Sequence, residues 1–363
     1  MKITNIRTYA VRIPYQHGGP FPSFGGKART TMDILLLRVE TDAGITGWGE
    51  AFGGPILPAT RAVLDQNIAA LAIGRDATQI SLLMEDLARK LQNFGRGGPV
   101  MFALSGLDIA LWDIAGKAAG LPVHRLLGGA VRKEVFAYAS MLAYHDPDVV
   151  ARNAAEAVEK GYRYVKAHEY EEAEIASARQ AVGAGIPLMV DTNCPWTAEE
   201  AIAMARRLER YDLHWLEEPI WPPENFQGLA AIRREAPMPI AAGENARTLF
   251  DFRLMIDSGA VSVIQPSLGK MGGLTEARKI LPLAEAGNVR VTPHCTYFGP
   301  AALATLHLIS TFRSEPIFER FYCELEASPF GTAVSATNGR VSVPEGPGLG
   351  VEPDMTVVEK YSA

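Results

Sequence analysis

The feature that most constrains this 363-residue chain is a set of three acidic residues at the ends of successive strand-like runs. Asp191, Glu217 and Glu244 are spaced 26 and 27 residues apart, about the length that one strand, one helix and two loops of a β/α barrel require. Neighbouring barrel strands would bring the three carboxylates to one rim, where hard oxygen ligands suit Mg²⁺ better than zinc. The spacing therefore predicts a metal-assisted enzyme.

From Lys133 onward, strand-like runs alternate regularly with amphipathic helical segments. Such alternation favours parallel strands, with the active groups at the carboxyl ends of the strands. Residues 126–325 are therefore predicted to form a (β/α)₇β TIM-like barrel with eight strands and seven intervening helices. The predicted strands are 135–140, 164–168, 187–191, 214–217, 239–243, 261–265, 290–294 and 317–319.

Residues 1–125 have an α+β pattern that predicts a capping domain. A glycine- and proline-rich segment at 14–27 interrupts it and has the composition of a mobile lid over the site. The tail, 326–363, has turn chemistry and is expected to pack back on the capping domain. The predicted strands are 2–12, 33–41 and 46–50, and the predicted helices are 59–73, 79–92 and 103–115.

The bulk composition excludes several functional classes. A net charge of −6 provides no electrostatic footprint for nucleic acid. Three scattered cysteines cannot form a disulfide framework, which favours a reducing cytoplasm. No run of about 18 apolar residues is present, so no membrane association is expected.

Basic and amide side chains are predicted to face the acidic residues inside the barrel. Lys166 and His168 lie two apart at the end of the second predicted strand, so both side chains point inward. His294 and Glu319 end the seventh and eighth strands, and Asn193 lies two residues beyond the first acidic residue. These groups together suit abstraction of a proton next to a carboxylate, with the developing charge stabilised by metal and cation.

Each side chain also has a structural interpretation. Lys166 would then be a counter-ion, and Glu319 would pair with Arg320 or Arg313. The histidines would be satisfied core or surface residues. The register of three acidic residues, rather than any one of them, favours a metal site.

These residues and several motifs resemble the mandelate racemase/muconate lactonizing enzyme family of the enolase superfamily, over essentially the whole chain. The resemblance implies a capping domain whose loops close over a barrel, and one Mg²⁺ per site bound by Asp191, Glu217 and Glu244. It also implies a small-molecule carboxylate substrate and assembly as a homo-oligomer. The motifs are Ala103-Leu-Ser-Gly-Leu-Asp-Ile-Ala-Leu-Trp-Asp-Ile-Ala-Gly-Lys117, Asp191-Thr-Asn193, Trp215-Leu-Glu-Glu-Pro219, Ala242-Gly-Glu-Asn245, Lys270-Met-Gly-Gly273 and Pro347-Gly-Leu-Gly350.

Two positions depart from the family pattern. The usual Lys-x-Lys is here Lys166-Ala-His168, so that His168 would replace the lysine base and Lys166 would contact the substrate carboxylate. Imidazole can be neutral and basic without the pKa depression that a lysine needs. Ser267 stands where one branch has an aspartate partner for His294 and another has a lysine base. Glu319 matches the glutamate that donates a hydrogen bond to the substrate carboxylate.

The leading hypothesis is an acid-sugar dehydratase that works through an enediolate intermediate. His168 or His294 would take the α-proton, and His294 would protonate the departing β-hydroxyl. A racemase or epimerase of a 2-hydroxy acid or related carboxylate is the alternative, and a retired homologue that only binds ligand is the third possibility. The expected substrate-binding residues are Asn193, His17, Phe21, Phe24 and Phe52.

Overall fold

The computed structural model describes residues 1–24 and 26–362. The N-terminal region is an antiparallel sheet covered by helices. Its long strands pair in the order β1–β4–β5. Strands β2 and β3 form a small hairpin in the segment that connects β1 to β4 along the chain. A π-helical turn, Leu64–Ile68, joins α1 to α2. The elements are β1 (Ile3–Gln16), β2 (Ser23–Phe24), β3 (Lys27–Ala28), β4 (Thr31–Thr41), β5 (Thr46–Ala51), α1 (Leu57–Val63), α2 (Ala69–Ala72), α3 (Ile80–Lys90), α4 (Pro99–Ala119) and α5 (Val123–Leu126).

Helix α4 packs closely on β5 because glycines leave room for its backbone. A Cβ on Gly49 would lie 1.9 Å from the carbonyl oxygen of Gly106, a separation that no side chain could occupy. Among the described residues, α4 is the one helix whose length and apolar composition would allow it to cross a membrane. Because 83% of its apolar window is buried inside the protein, α4 has the character of a core helix.

The second region is the predicted barrel. Within the described residues, eight strands run parallel in the order β12–β11–β10–β9–β8–β7–β6–β13. Pairing of the last strand with the first, Glu319 opposite Tyr138, confirms the (β/α)₇β prediction. The strands are β6 (Glu134–Ser140), β7 (Val165–Ala167), β8 (Leu188–Asp191), β9 (Leu213–Glu217), β10 (Ile240–Ala242), β11 (Val263–Ile264), β12 (Arg290–Val291) and β13 (Ile317–Phe321). The helices are α6 (Pro147–Glu159), α7 (Glu172–Val182), α8 (Ala198–Leu208), α9 (Phe226–Glu235), α10 (Leu249–Asp257), α11 (Gly273–Ala286) and α12 (Pro300–Ile309).

The barrel interior contains an apolar cluster of its own, separate from the main core. The rings of Tyr138 and Trp215 meet edge to face, with centroids 6.1 Å apart. Such inward-facing layers fill a barrel of this size and leave no pore. The cluster consists of Phe136, Tyr138, Met189, Trp215, Ala241, Val263 and Ile317.

The tail contacts both regions. Strand β14 (Glu324–Leu325) pairs with the end of β1, and helix α13 (Met355–Tyr361) also packs on β1. Strand β15 (Arg340–Ser342) instead pairs antiparallel with β6, so this part of the tail extends the barrel sheet rather than the capping sheet. The boundaries proposed after residues 125 and 325 stay a prediction.

The predicted lid at 14–27 is shorter than expected. Strand β1 continues to Gln16, and Pro14 lies opposite Thr31 on β4. The hairpin of β2 and β3 then pairs Phe24 with Lys27. Regular pairing therefore covers both ends of the segment that composition alone marked as a loop.

Candidate active site

Three carboxylates meet at the carboxyl ends of neighbouring parallel strands. Asp191 ends β8 and lies directly opposite Glu217, which ends β9. Glu244 follows β10, and one oxygen from each of the three residues lies within 4.8 Å of the others. The predicted ligands are therefore together, as the strand spacing requires.

The second oxygen atoms of two of these residues are held by neutral donors. The indole nitrogen of Trp215 donates to Glu217 Oε2 at 2.9 Å. The backbone and side-chain nitrogens of Asn193 each donate to Asp191 Oδ1 at 3.0 Å. One oxygen of each of these two carboxylates is thus held by neutral donors, and the other faces basic side chains.

Lys166 is a fully buried counter-ion for this cluster. Its ammonium lies 2.8 Å from Glu217 Oε1, 3.3 Å from Asp191 Oδ2 and 2.7 Å from Glu319 Oε1. Burial alone would lower the pKa of Lys166, but the carboxylates of Glu217 and Glu319 raise it well above its ordinary value. Lys166 therefore stays charged throughout the neutral pH range.

One cation does not balance the acidic residues. Burial and the neighbouring Asp191 raise the pKa of Glu217 to about 8, so one member of the cluster resists ionisation without further positive charge. Closely spaced carboxylates that cannot all ionise favour a bound cation. Three hard oxygen donors with no thiol or imidazole among them fit Mg²⁺.

His168 lies at one end of the triad, just beyond β7. Its Nδ1 is hydrogen-bonded to the backbone carbonyl of Met141, and its Nε2 lies 2.9 Å from Asp191 Oδ2. Burial would lower the pKa of His168, but Asp191 raises it overall. The ring is also stacked on Phe321, with centroids 6.4 Å apart.

His294 lies at the other end, with its Nε2 at 3.1 Å from Glu244 Oε2. Its Nδ1 lies 2.9 Å from Ser267 Oγ, and that hydroxyl lies 2.7 Å from the hydroxyl of Tyr297. Burial lowers the pKa of His294. A chain of two hydroxyls thus occupies the position where the resemblance implied a carboxylate. Sequence reasoning did not identify Tyr297.

Glu319 is held as an acceptor by several donors. Ser140 Oγ donates to its Oε1 at 2.8 Å, and the backbone nitrogen of Cys295 donates to its Oε2 at 2.7 Å. Burial would raise the pKa of Glu319, but Lys166 and His294 lower it to about 2. An ionised Glu319 accepts hydrogen bonds in this arrangement, whereas the resemblance implied that it donates one.

A cavity of about 250 Å³ opens above these groups. Of the predicted site residues, His168, Asn193, Glu244, His294 and Phe52 line it, whereas Lys166, Asp191, Glu217 and Glu319 are almost wholly buried. Sequence reasoning assigned no role to five other lining residues with polar side chains: Asp33, Glu50, Lys270, Thr296 and Tyr297.

Lys270 is the missed residue with the clearest role. Its ammonium lies 3.0 Å from Glu244 Oε1 and 4.7 Å from the centre of the Phe52 ring. Its position shortly after strand β11, in a motif already noted for the resemblance, was the available signal. Lys270 supplies positive charge at the Glu244 end of the triad, as Lys166 does at the other end.

The predicted lid residues His17 and Phe21 are not among the residues that line this cavity. His17 is 4% exposed and stacks on Tyr144, with ring centroids 5.4 Å apart, and Phe21 packs edge-on against Tyr15. The expectation that these two contact the substrate therefore gains no support from the geometry. The Phe24 side chain lies outside the described part of the chain.

Comparison with known proteins agrees with the fold. The family model "Enolase C-terminal domain-like" matches residues 149–357, and "Mandelate racemase / muconate lactonizing enzyme, N-terminal domain" matches residues 13–128. Together they cover most of the capping region and nearly all of the barrel.

Individual relatives are enzymes of this kind. The chain is 33% identical to D-galactarolactone cycloisomerase of Agrobacterium fabrum, over 99% of both chains. It is 32% identical to D-galactonate dehydratase of Ralstonia pickettii, over 100% of this chain and 94% of the relative. A racemase from Streptomyces coelicolor A3(2), solved with bound magnesium, superposes with a TM-score of 0.86 at 30% identity, over 99% of this chain and 100% of the racemase. The chain therefore belongs to the mandelate racemase/muconate lactonizing enzyme family of the enolase superfamily, as a lyase or isomerase.

Proposed function

We propose that this enzyme removes the α-proton of an acid sugar and eliminates the β-substituent, most simply as a dehydratase. The observation that carries the proposal is the placement of two imidazoles at opposite ends of one carboxylate triad. His168 Nε2 lies 2.9 Å from Asp191, and His294 Nε2 lies 3.1 Å from Glu244. Both rings line the same cavity. A base and an acid are thereby available to one bound substrate.

Asp191, Glu217 and Glu244 would hold one Mg²⁺ in each active site. When bound, the ion would supply positive charge beside the substrate carboxylate and favour the negative charge that develops there. Lys166 adds a second, permanent positive charge behind the triad. The protein's part is to keep this charge fixed before the substrate arrives.

A backbone contact supports His168 as the base. A carbonyl oxygen only accepts hydrogen bonds, so the Met141 carbonyl requires the proton of a neutral His168 ring to sit on Nδ1. Nε2, which lies 2.9 Å from Asp191 Oδ2, then carries the lone pair when the ring is neutral. We assign removal of the α-proton to His168 Nε2.

The hydroxyl chain suits His294 to the acid role. Tyr297 can donate to Ser267, which then donates to His294 Nδ1 and leaves the proton of a neutral ring on Nε2. As the β-carbon–oxygen bond breaks, the oxygen keeps the electron pair and takes this proton to leave as water. His294 then regains a proton from solvent, and His168 releases the α-proton to solvent, before the next turnover. The remaining enol then becomes the 2-keto-3-deoxy acid.

Elimination fits these contacts better than racemisation. A racemase needs two bases of similar strength, and a hydroxyl partner supports a cationic His294 less well than a carboxylate would. Expulsion of a ring oxygen, as the name of the cycloisomerase relative suggests, would use the same two residues. The two eliminations differ only in whether the departing oxygen remains attached to the product.

The proposal is tested by incubating the Mg²⁺-loaded enzyme with a panel of mono- and diacid sugars and their lactones in D₂O. Nuclear magnetic resonance would follow the α-proton and the products. We expect a keto acid from at least one acid sugar. A stereoinverted substrate carrying deuterium would instead establish racemisation or epimerisation. Loss of the α-proton from none of the acids would contradict the proposal and favour a ligand-binding homologue.

Two variants test the division of labour between the histidines. His168→Gln should lose both α-proton exchange and elimination. His294→Gln should lose elimination of the hydroxyl but retain α-proton exchange. A substrate with fluoride in place of the β-hydroxyl needs no proton on its leaving group, so His294→Gln should turn it over and His168→Gln should not. Turnover of the fluoride substrate by His168→Gln but not by His294→Gln would mean that His294 is the base and His168 is the acid.

Residues outside the catalytic group are part of the same proposal. Asn193 is retained as a substrate contact because it lines the cavity beside Asp191. A cytoplasmic location agrees with the three free cysteines. Assembly as a homo-oligomer stays a prediction.

A further inference from the structure

Arg29 presents an uncommitted guanidinium to the active-site cavity. The residue lies between β3 and β4, and its side chain lines the cavity together with His168 and His294. Its backbone is fixed at both ends. The nitrogen donates to the carbonyl of Pro22 at 2.9 Å, and the carbonyl accepts from the hydroxyl of Tyr15 at 2.8 Å. The side chain therefore projects from an anchored position.

The donors of this guanidinium are almost unused by the protein. Its one side-chain hydrogen bond among the described residues is with the sulfur of Met32, at 3.8 Å, and no described carboxylate lies within 4.0 Å of it. The other cations at the site are committed, Lys270 to Glu244 and Lys166 to the buried acids. A guanidinium has five N–H donors. Because the Arg29 guanidinium has, in the described part of the chain, only the thioether sulfur of Met32 as a hydrogen-bond partner, its other donors can bind a ligand.

A nearby acid does not account for Arg29. Asp33 also lines the cavity, but its carboxylate accepts from the Thr31 hydroxyl at 2.9 Å and lies 4.0 Å from Arg12. Lys27, the other cation of this hairpin segment, is exposed and is not a lining residue. Arg29 is thus the cation of its segment that can reach a molecule in the cavity.

We propose that Arg29 binds a second carboxylate at the far end of the substrate, so that the enzyme prefers diacid sugars to the corresponding monoacids. The proposal rests on the function proposed above, because the first carboxylate is taken to lie at the metal triad. A carboxylate matches the planar fork of guanidinium with two parallel charge-assisted hydrogen bonds. A terminal hydroxyl is uncharged and has a single oxygen, so it would accept fewer and weaker hydrogen bonds from the guanidinium.

Binding measurements test the proposal without turnover. Calorimetry on the Mg²⁺-loaded protein would compare succinate, glutarate and adipate with the monocarboxylates of equal chain length. We expect at least one dicarboxylate to bind about 10- to 100-fold more tightly than its partner, the range for a charge-assisted pair. Arg29→Met should bring that ratio to within about 3-fold. Lys27→Met, which removes a charge from the same segment, should leave the ratio unchanged.

Arg29→Lys provides a second variant with the charge retained. It should keep part of the preference, because an ammonium attracts a carboxylate but lacks the fork. The ratio of kcat/KM for a six-carbon aldarate to that for the aldonate of the same configuration should fall in the same order across the variants. An unchanged ratio in Arg29→Met, or no dicarboxylate preference in the unaltered protein, would overturn the proposal.

The two proposals fail in different ways. A dicarboxylate preference that depends on Arg29, in a protein that turns over no acid sugar, would support this inference and contradict the elimination. Turnover of aldonates and aldarates at equal rates, with no effect of Arg29→Met, would leave the elimination standing and remove the role of Arg29.

Discussion

Replacing Lys166 by methionine should have two effects of opposite sign. The ammonium is wholly buried and lies within 3.3 Å of three carboxylates. Removing one partner of a buried charge pair costs about 3–5 kcal/mol, because the remaining charges stay buried without compensation. In the presence of EDTA, Lys166→Met should therefore lower the free energy of unfolding by about this amount.

Mg²⁺ should restore much of that loss. The ion and Lys166 compete for the same oxygens of Asp191 and Glu217, so the variant should bind Mg²⁺ more tightly. A recovery of about 3 kcal/mol corresponds to roughly 100-fold in affinity. Catalysis should nevertheless fall, because the permanent positive charge behind the triad is gone.

Urea unfolding in EDTA and in a Mg²⁺ series measures both effects. Lys117→Met is the matched control, because Lys117 lies 2.8 Å from the buried Asp113 in α4, outside the active site. Lys117→Met should lower the free energy of unfolding without changing how that free energy depends on the Mg²⁺ concentration. If Lys166→Met is as stable as the unaltered protein in EDTA and binds Mg²⁺ with the same affinity, the pairing of Lys166 with the triad is refuted.

Three further changes test other contacts. Tyr297→Phe should slow elimination of a β-hydroxyl about 10-fold, the worth of one hydrogen bond, and leave elimination of fluoride within about 3-fold in steady-state assays. Burial lowers the pKa of His307 to about 4, below its ordinary 6.5. The unfolded state therefore binds the proton more tightly, and the contribution of His307 should lower stability as pH drops from 6.5 towards 4. His307→Gln should reduce this fall in urea midpoints measured between pH 4.5 and 7.5. Burial raises the pKa of Glu50 to about 7, so the folded state holds that proton more tightly and the contribution of Glu50 should lower stability as pH rises from 4.5 to 7. Glu50→Gln should remove this decline in the same midpoints, and midpoints that keep it would show that Glu50 is not its source.

The metal triad was predictable because its position follows from regular structure. Strand period and βα repeat length determine which residues end neighbouring parallel strands, and Asp191, Glu217 and Glu244 obey both. His168, one residue beyond β7, was predictable for the same reason, whereas His294 lies three residues beyond the end of β12 and the predicted strand 290–294 was too long. A residue at a strand end has its direction fixed by the barrel.

Tyr297 could not be predicted in this way, because the segment after β12 is irregular. Its hydroxyl reaches Ser267 along a path that depends on Gly269, where a Cβ would lie 2.6 Å from the Tyr297 hydroxyl. No periodicity encodes that contact. Sequence alone indicated only that the expected carboxylate was missing.

The predicted lid is a second region in which the sequence did not indicate which side chains face the site. His17 was expected to bind substrate, whereas Arg29, two residues after the same glycine-rich segment, was not among the expected site residues. The structure stacks His17 on Tyr144 and leaves Arg29 at the cavity. Which side of such a segment faces the site depends on strand pairing that its composition does not specify, here the extension of β1 to Gln16.

The central claim is that Mg²⁺ held by the triad permits abstraction of the α-proton. The most direct test follows the α-proton of a substrate in D₂O with unaltered enzyme, with enzyme in EDTA and with Asp191→Asn. The account predicts loss of the α-proton and appearance of a keto acid with the Mg²⁺-loaded enzyme, and neither change in the other two samples. Loss of the α-proton at the same rate in EDTA, or in Asp191→Asn, would contradict it.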